Sequence, residues 1–447
     1  MNEYDPLRQA RAMRAAIDDL GAQRLPATLK GLPARAVGRR LGALGAMGLS
    51  LLEGDLPLPA AILRRDALDH NAAWMQRFTE RAGVLLCPHG KTTMAPQLFQ
   101  RQLAHGAWGI TAATAAQVRT CRQFGVPRVL LANQLVGQAN IDLVFDELQA
   151  DPAFDFYLLV DSIAGLELLQ GALARRPLSR PLQVLLEVGT PGGRAGVRSL
   201  DEGVALGRAL REAVPAIALR GIETFEGVHG GDDHARVELA VLSMLATIEA
   251  LAKAGCDEAW FAPGPVILSA GGSAFFDMAA GVLRAVTGAR ELQVVLRSGC
   301  YLSHDALHYA RMQARIRQRA GALWGDGPGL RNALEVWAHV QSRPESGRAI
   351  CGLGKRDLSH DLEMPSPLWW FRPGLHDEPQ AVAPSLRVTA LNDQHAFVDG
   401  PDAELPWAVG DLVGFGVGHP CTTFDKWPLL YLVDDAGRVL GGIRTFF

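Results

Sequence analysis

Short, mostly apolar runs alternate with longer stretches of helical composition over most of the chain. The runs are AAIL (60–63), VLLC (84–87), WGIT (108–111), RVLLA (128–132), FYLLV (156–160), LQVLLEV (182–188), ALRGIE (218–223) and PVILSA (265–270). Between them lie segments such as AAQVRTCRQFG (115–125) and VELAVLSMLATIEALAKAG (237–255), rich in helix formers. A strand that is apolar on both faces belongs in a parallel sheet covered on both sides. Strands alternating with helices are how such sheets are connected. Eight such units in about 210 residues predict an α/β fold, a (β/α)8 barrel. An open doubly wound sheet is the second reading, weakened because no GxGxxG follows the first strand.

Beyond residue 290 the texture changes. ELQVVLR (291–297), ALEVWAHVQSR (333–343), RAICGLG (348–354), SLRVTAL (385–391), DLVGFGV (411–417), PLLYLV (428–433) and VLGGIRTFF (439–447) look like strands separated by Pro and Gly. They predict a second, mostly antiparallel β domain. Upstream, residues 6–22 predict a helix rich in Arg and Ala, and 23–56 are broken by Pro and Gly. The expected organisation is an N-terminal helical arm (1–50), a barrel (51–290) and a C-terminal β domain (291–447).

Composition narrows the function class. The 447 residues suffice for two domains, and 48% hydrophobic with 20% charged residues is a globular balance. Forty-four Lys and Arg against 47 Asp and Glu give a net charge of −3, so there is no basic footprint for nucleic acid. No run of 18 apolar residues is evident, so no membrane span is expected. The opening MNEYDPLRQARAMR carries acids and lacks the apolar centre of a secretory signal. Cysteines at 87, 121, 256, 300, 351 and 421 form no CxxC pair, so a reducing, cytoplasmic setting is expected.

Barrel enzymes place their chemistry at the C-terminal ends of the strands. In VLLCPHGKTTMAP (84–96), Lys91 directly follows an apolar strand. Partial burial and nearby cations lower an amine's pKa there, as an imine-forming lysine requires; the alternative is a solvated loop lysine. In PVILSAGGSAFFD (265–277), Gly271, Gly272 and Ser273 link a strand to a helix. Glycines let backbone N–H groups approach an anion such as phosphate; the alternative is an ordinary turn. Arg194 lies in the Gly-rich loop of LLEVGTPGGRAGV (185–197), where its fixed donors suit a phenolate or carboxylate. In VGFGVGHPCTTFDKW (413–427), His419 and Cys421 are two apart, so in extended backbone they point the same way. An imidazole and a thiolate so placed grip one zinc ion and leave positions open for substrate; the alternative is a core His beside an inert Cys.

These motifs, with RSGCYLSHD (297–305), occur together and in this order. The chain from about residue 55 onward resembles the D-serine dehydratase and D-threonine aldolase family, pyridoxal-phosphate enzymes of the alanine-racemase-type fold. The resemblance implies that Lys91 carries pyridoxal 5'-phosphate, that Gly271, Gly272 and Ser273 hold its phosphate, and that Arg194 lies near its ring. It implies that His419 and Cys421 hold Zn2+, that Tyr301 and Asp305 lie near substrate, and that His395 sits near the β-domain core. It implies a homodimer acting on a small amino acid, with no nucleic-acid or membrane partner. Family aldolases tend to carry His-x-Asp at the metal position and dehydratases His-x-Cys, so His419-Pro420-Cys421 points to the dehydratase side. The expected reaction is deamination of a β-hydroxy D-amino acid, D-serine first among them. A metal-dependent D-threonine aldolase and an amino-acid racemase are the alternatives. Phe225 in ETFEGVHG departs from the family, where a tyrosine is usual.

Overall fold

The computed structural model describes residues 6–288, 290–401 and 405–447. Strand β1 (Ala60–Arg64) precedes the barrel. The barrel strands are β2 (Leu85–Leu86), β3 (Ile110–Ala112), β4 (Arg128–Gln134), β5 (Asp155–Val160), β6 (Leu182–Val188), β7 (Ile217–Thr224), β8 (Val266–Ala270) and β9 (Leu292–Leu296). They are all parallel, in the order β2-β9-β8-β7-β6-β5-β4-β3. The ends meet through a parallel bridge between His89 and Thr111, with Trp108 N donating to Leu86 O at 2.7 Å and Thr111 N to Pro88 O at 2.9 Å. Cys87, Leu130, Tyr157, Leu159, Leu185, Ile267 and Val295 fill the interior, so the barrel is a packed core with its chemistry confined to one rim.

The second sheet adds β10 (Leu334–Glu345), β11 (Arg348–Cys351), β12 (Ser366–Phe371), β13 (Gln380–Ala381), β14 (Arg387–Leu391), β15 (Ala396–Asp399), β16 (Leu412–Gly416), β17 (Leu429–Val433) and β18 (Val439–Arg444). Its main path is β13-β12-β16-β10-β1-β17-β18, and β1–β17 is its only parallel pair among the described residues.

Two strands differ from expectation. The run at 60–63 was to open the barrel, but β1 lies in the second sheet, antiparallel to β10 and parallel to β17. Both faces of β1 are buried there, and burial on both faces does not say which sheet a strand joins. At its end Arg64 forms a two-pronged ion pair with Glu335, at 2.7 and 3.1 Å. The run at 291–297, assigned to the β domain, is β9 and closes the barrel between β8 and β2. Its helix, His308–Ala320, comes only after the 297–307 loop, which hid the strand–helix rhythm. The boundary expected at 290/291 therefore falls inside the barrel.

The N-terminal arm covers its own chain's β domain. Leu20, Leu25, Leu41 and Leu44 share one cluster with Trp337, Tyr431 and Val439, and Tyr431 OH donates to Gly31 O at 2.7 Å. The helix His234–Asp257 is long and apolar enough to cross a membrane by length and composition. Here its stripe of Val241, Leu245, Ile248 and Leu251 is buried against the barrel.

Candidate active site

Beyond β2 the chain turns over the barrel rim in one short 3-10 turn, Gly90–Thr92. A Cβ on Gly90 would stand 2.7 Å from Ile110 Cγ2, so glycine is what allows the turn to pass so close. Lys91 is half-buried at the rim. Burial lowers its pKa and Arg194 and Arg297 push the same way, while Cys421 and Cys300 oppose them. Burial also drives His89 well below the usual histidine range, with the Lys91 charge adding to it.

The turn after β8 is built to present amides. Gly271 has φ +89°, and a Cβ there would stand 2.6 Å from Leu296 Cδ2. Gly271 N donates to the Glu226 carboxylate at 3.3 Å, and Gly272 N makes a short bond to the same group. Both amides, expected to face a phosphate, are taken up here by the buried carboxylate of Glu226. Burial raises the Glu226 pKa; these amide donors work against the rise. Ser273 Oγ accepts from Cys300 N at 3.3 Å, tying the turn to the loop after β9.

Arg194 reaches the same rim, its guanidinium 4.7 Å from the Phe225 ring centre. Arg198 sets the loop that carries it, donating to Thr190 O (2.8 Å), Ala195 O (2.9 Å) and Arg194 O (2.6 Å). Deeper in, Arg297 pairs with Glu223 at 2.5 Å and donates to Thr224 O at 2.6 Å. Burial pushes the Glu223 carboxyl up to about 8, against the pull of Arg297.

His419 and Cys421 come from the β domain, after β16, but not in the extended backbone expected: Pro420 is helical (φ −56°, ψ −41°) and Cys421 opens the short helix Cys421–Phe424 that meets this rim. Cys421 Sγ lies 3.5 Å from Thr92 Oγ1 and 3.7 Å from Cys300 Sγ. Hydrogen bonding from Cys300 holds the Cys421 thiol well below its usual range, and His419 and Thr92 contribute. The His419 imidazole is pushed up to about 9, first by Cys421, with Asp361 adding. His419 Nδ1 is 2.5 Å from Asp361 Oδ2. A carboxylate on one ring nitrogen is the usual support of a histidine that ligates metal through the other. Among the described residues, no three His, Cys, Asp or Glu side chains already form a set that would hold a metal.

Lys91, Ser273, His419 and Cys421 are thus joined through Thr92 and Cys300. Tyr301 and Asp305, expected near substrate, follow Cys300 in the same loop and make structural contacts there. Tyr301 is buried in the hydrophobic core, where its hydroxyl bonds to Gln102. Asp305 is fully buried and accepts from the amides of Leu307, Tyr309 and Ala310 at 2.9–3.3 Å, fixing the start of the helix His308–Ala320. His395, expected near the β-domain core, is instead exposed in the turn between β14 and β15, where Asn392 N bonds its carbonyl. Asn392-Asp393-Gln394 is turn chemistry, which carries the ring to the surface. Glu226, Asp361, Thr92, Cys300 and Arg198 were not anticipated. Thr92, Cys300 and Glu226 lie inside segments already singled out for other residues.

A parallel barrel with a lysine at its rim and a β domain closing over it defines an alanine-racemase-type enzyme fold. The alanine racemase N-terminal domain model matches residues 63–278, and the serine dehydratase domain model matches 333–433. The chain thus carries, in this order, the two domains that these models describe. Curated relatives include D-threonine aldolase of Arthrobacter sp., 27% identical over 84% of this chain and 89% of that protein. D-threo-3-hydroxyaspartate dehydratase of Delftia sp. (strain HT23) is 26% identical over 86% and 96%. Among solved structures, D-threonine aldolase from Filomicrobium marinum shares the fold at TM-score 0.70, with 23% identity over 89% of this chain and 97% of that one. D-threo-3-hydroxyaspartate dehydratase from Delftia sp. HT23 shares it at TM-score 0.68, with 21% identity over 89% and 99%.

Proposed function

We propose that this chain is a lyase that uses pyridoxal 5'-phosphate and zinc to eliminate the β-hydroxyl of a D-amino acid, giving a 2-oxo acid and ammonia. One observation carries the reading: Cys421, two residues from His419, touches Thr92, the neighbour of Lys91. An amine and a two-pronged metal site therefore face one rim.

The residues present fit both groups. Burial favours the neutral Lys91 amine that a carbonyl requires. The Gly271 and Gly272 amides already serve an anion. The His419 and Cys421 donors suit zinc, because a thiolate prefers it to magnesium or manganese. Bound pyridoxal phosphate supplies an electron sink for a carbanion at Cα. Bound zinc supplies a Lewis acid for a leaving hydroxyl. Lys91 Nζ would hold the cofactor and is the base placed to take the Cα proton. Gly271, Gly272 and Ser273 fix the phosphate end, and Arg194 orients the ring or the substrate carboxylate. Asp361 fixes the His419 ring. The relatives' names, two dehydratase and aldolase activities on β-hydroxy D-amino acids, support the substrate class.

The test is a panel of D- and L-serine, D- and L-threonine and D-threo-3-hydroxyaspartate, with 2-oxo acid, ammonia, glycine and aldehyde measured separately. Equal 2-oxo acid and ammonia from a D-substrate support elimination. Glycine with an aldehyde selects the aldolase reading, which the Arthrobacter relative favours. Interconverted enantiomers alone select a racemase. The reading also carries a cytoplasmic homodimer, checked by a solution mass near twice 48.0 kDa.

A further inference from the structure

Cys300 is not needed for the two-pronged site just described, yet its sulfur lies 3.7 Å from that of Cys421. Two thiolates bound to one tetrahedral zinc, each about 2.3 Å from the metal, stand about 3.8 Å apart. The two cysteines therefore already form one edge of such a tetrahedron. We propose that Cys300 is a third donor to the divalent ion, completing a Cys2His set with His419 and Cys421 and leaving one position for substrate. This rests on the reading that His419 and Cys421 hold that ion.

The surroundings support the assignment. The Thr92 hydroxyl lies 3.5 Å from Cys421 Sγ and 3.9 Å from Cys300 Sγ, so one hydroxyl serves both sulfurs. Cys300 N is tied to Ser273 Oγ at 3.3 Å, and the side chain is buried. At Gly299 a Cβ would stand 2.6 Å from both His89 O and Thr92 Oγ1, so the backbone just before Cys300 is clamped to the Lys91 turn. The sulfur of Cys300 is therefore placed by the barrel, and that of Cys421 by the β domain. The three donors are not yet gathered as a finished set. The sulfur edge is in place, and the imidazole, one-quarter exposed and held at its outer nitrogen by Asp361, is the donor that closes it. Three protein ligands with one open position is the arrangement of a catalytic zinc. Two thiolates would also select zinc, cobalt or cadmium strongly over magnesium, manganese or calcium. The fold thereby uses the ion to staple barrel to β domain.

The experiment is a titration of the reduced, metal-stripped full chain with cobalt(II), reading near-ultraviolet thiolate-to-cobalt absorbance per bound ion, followed by zinc affinity in competition with a chromophoric chelator. Cys300→Ser is expected to cut that absorbance to roughly half, as Cys421→Ser does, because each removes one thiolate of two. It is also expected to weaken zinc binding by more than the 10–100-fold typical of a lost supporting hydrogen bond. X-ray absorption of the wild-type zinc protein, which needs no variant, should count two sulfur neighbours. A single sulfur neighbour, or a cobalt spectrum unchanged in Cys300→Ser but lost in Cys421→Ser, overturns the role of Cys300 and leaves the two-pronged site standing. No thiolate–cobalt absorbance in the wild type overturns both.

Discussion

The sulfur of Cys421 lies 3.5 Å from the hydroxyl of Thr92, the residue next to Lys91. One partner sits on the barrel rim and the other in the β domain, 329 positions apart in the chain. The contact brings the Lys91 turn and the His419–Cys421 segment to one rim, which the proposed function reads as a single site. Lys91→Ala should therefore remove the visible absorbance that appears when pyridoxal phosphate is added, and turnover should fall at least about a thousandfold. Zinc affinity should stay within a few-fold, because no metal donor is touched. Loss of zinc along with the cofactor would mean that the two halves do not fold independently of Lys91.

Asp361 supports His419 from outside, 2.5 Å from its Nδ1. Asp361→Asn keeps the shape and removes the charge. Metal affinity should drop about 10–100-fold, as is usual for such a partner, with activity recovered at higher zinc. Chelator competition and a zinc titration of activity read this directly. An unchanged zinc affinity would leave the Asp361 contact as surface chemistry.

Glu226 accepts from the amides of Gly271 and Gly272. Glu226→Ala strands two donors, each worth about 1–3 kcal/mol when buried without a partner. The cofactor-free variant should melt lower than wild type, and inorganic phosphate should stabilise it more than it stabilises wild type. Equal phosphate effects on both proteins would place the cradle elsewhere.

His304 is buried beneath the rim and its Nε2 has no partner, so burial pulls its pKa down to about 4. The unfolded chain binds a proton at ordinary histidine pH, and the folded chain resists it. Between about pH 6.5 and 4 the unfolded state thus carries more protons, so stability rises with pH there and is lost as pH falls. The full shift corresponds to roughly 3 kcal/mol. His304 has φ +46°, which asparagine tolerates, so His304→Asn is the suitable variant. Its denaturant stability should vary less over that window than wild type. The same slope in both proteins would assign the acid sensitivity to other groups.

Much of this was legible because buried parallel strands announce themselves. Seven of the eight barrel strands lie where short apolar runs stand in the sequence, and Lys91, Gly271, Gly272, Arg194, His419 and Cys421 follow strands or fill Gly-rich turns. What failed was membership and partnership. β1 has the texture of a barrel strand, yet Arg64 at its end finds Glu335 in the other sheet. β9 has the texture of the other barrel strands, but its helix comes only after the 297–307 loop, which hid the strand–helix rhythm. Glu226 lies inside ETFEGVHG, and Asp361 in an unmarked stretch, but neither partner is readable from sequence. Each acts through a contact 45 or 58 residues away, and an isolated carboxylate in a loop carries no local signature. Asp305 shows the opposite hazard: a residue inside a recognisable motif whose carboxylate serves backbone amides.

The division of labour between Lys91 and the His419–Cys421 pair is tested most directly by giving the holoenzyme D-serine in deuterated water, before and after metal removal. Lys91 alone should still exchange the Cα proton, so deuterium should enter recovered D-serine while pyruvate and ammonia cease, and zinc should restore both products. Pyruvate formed at the full rate without metal, or no exchange at Cα in either state, would contradict the account.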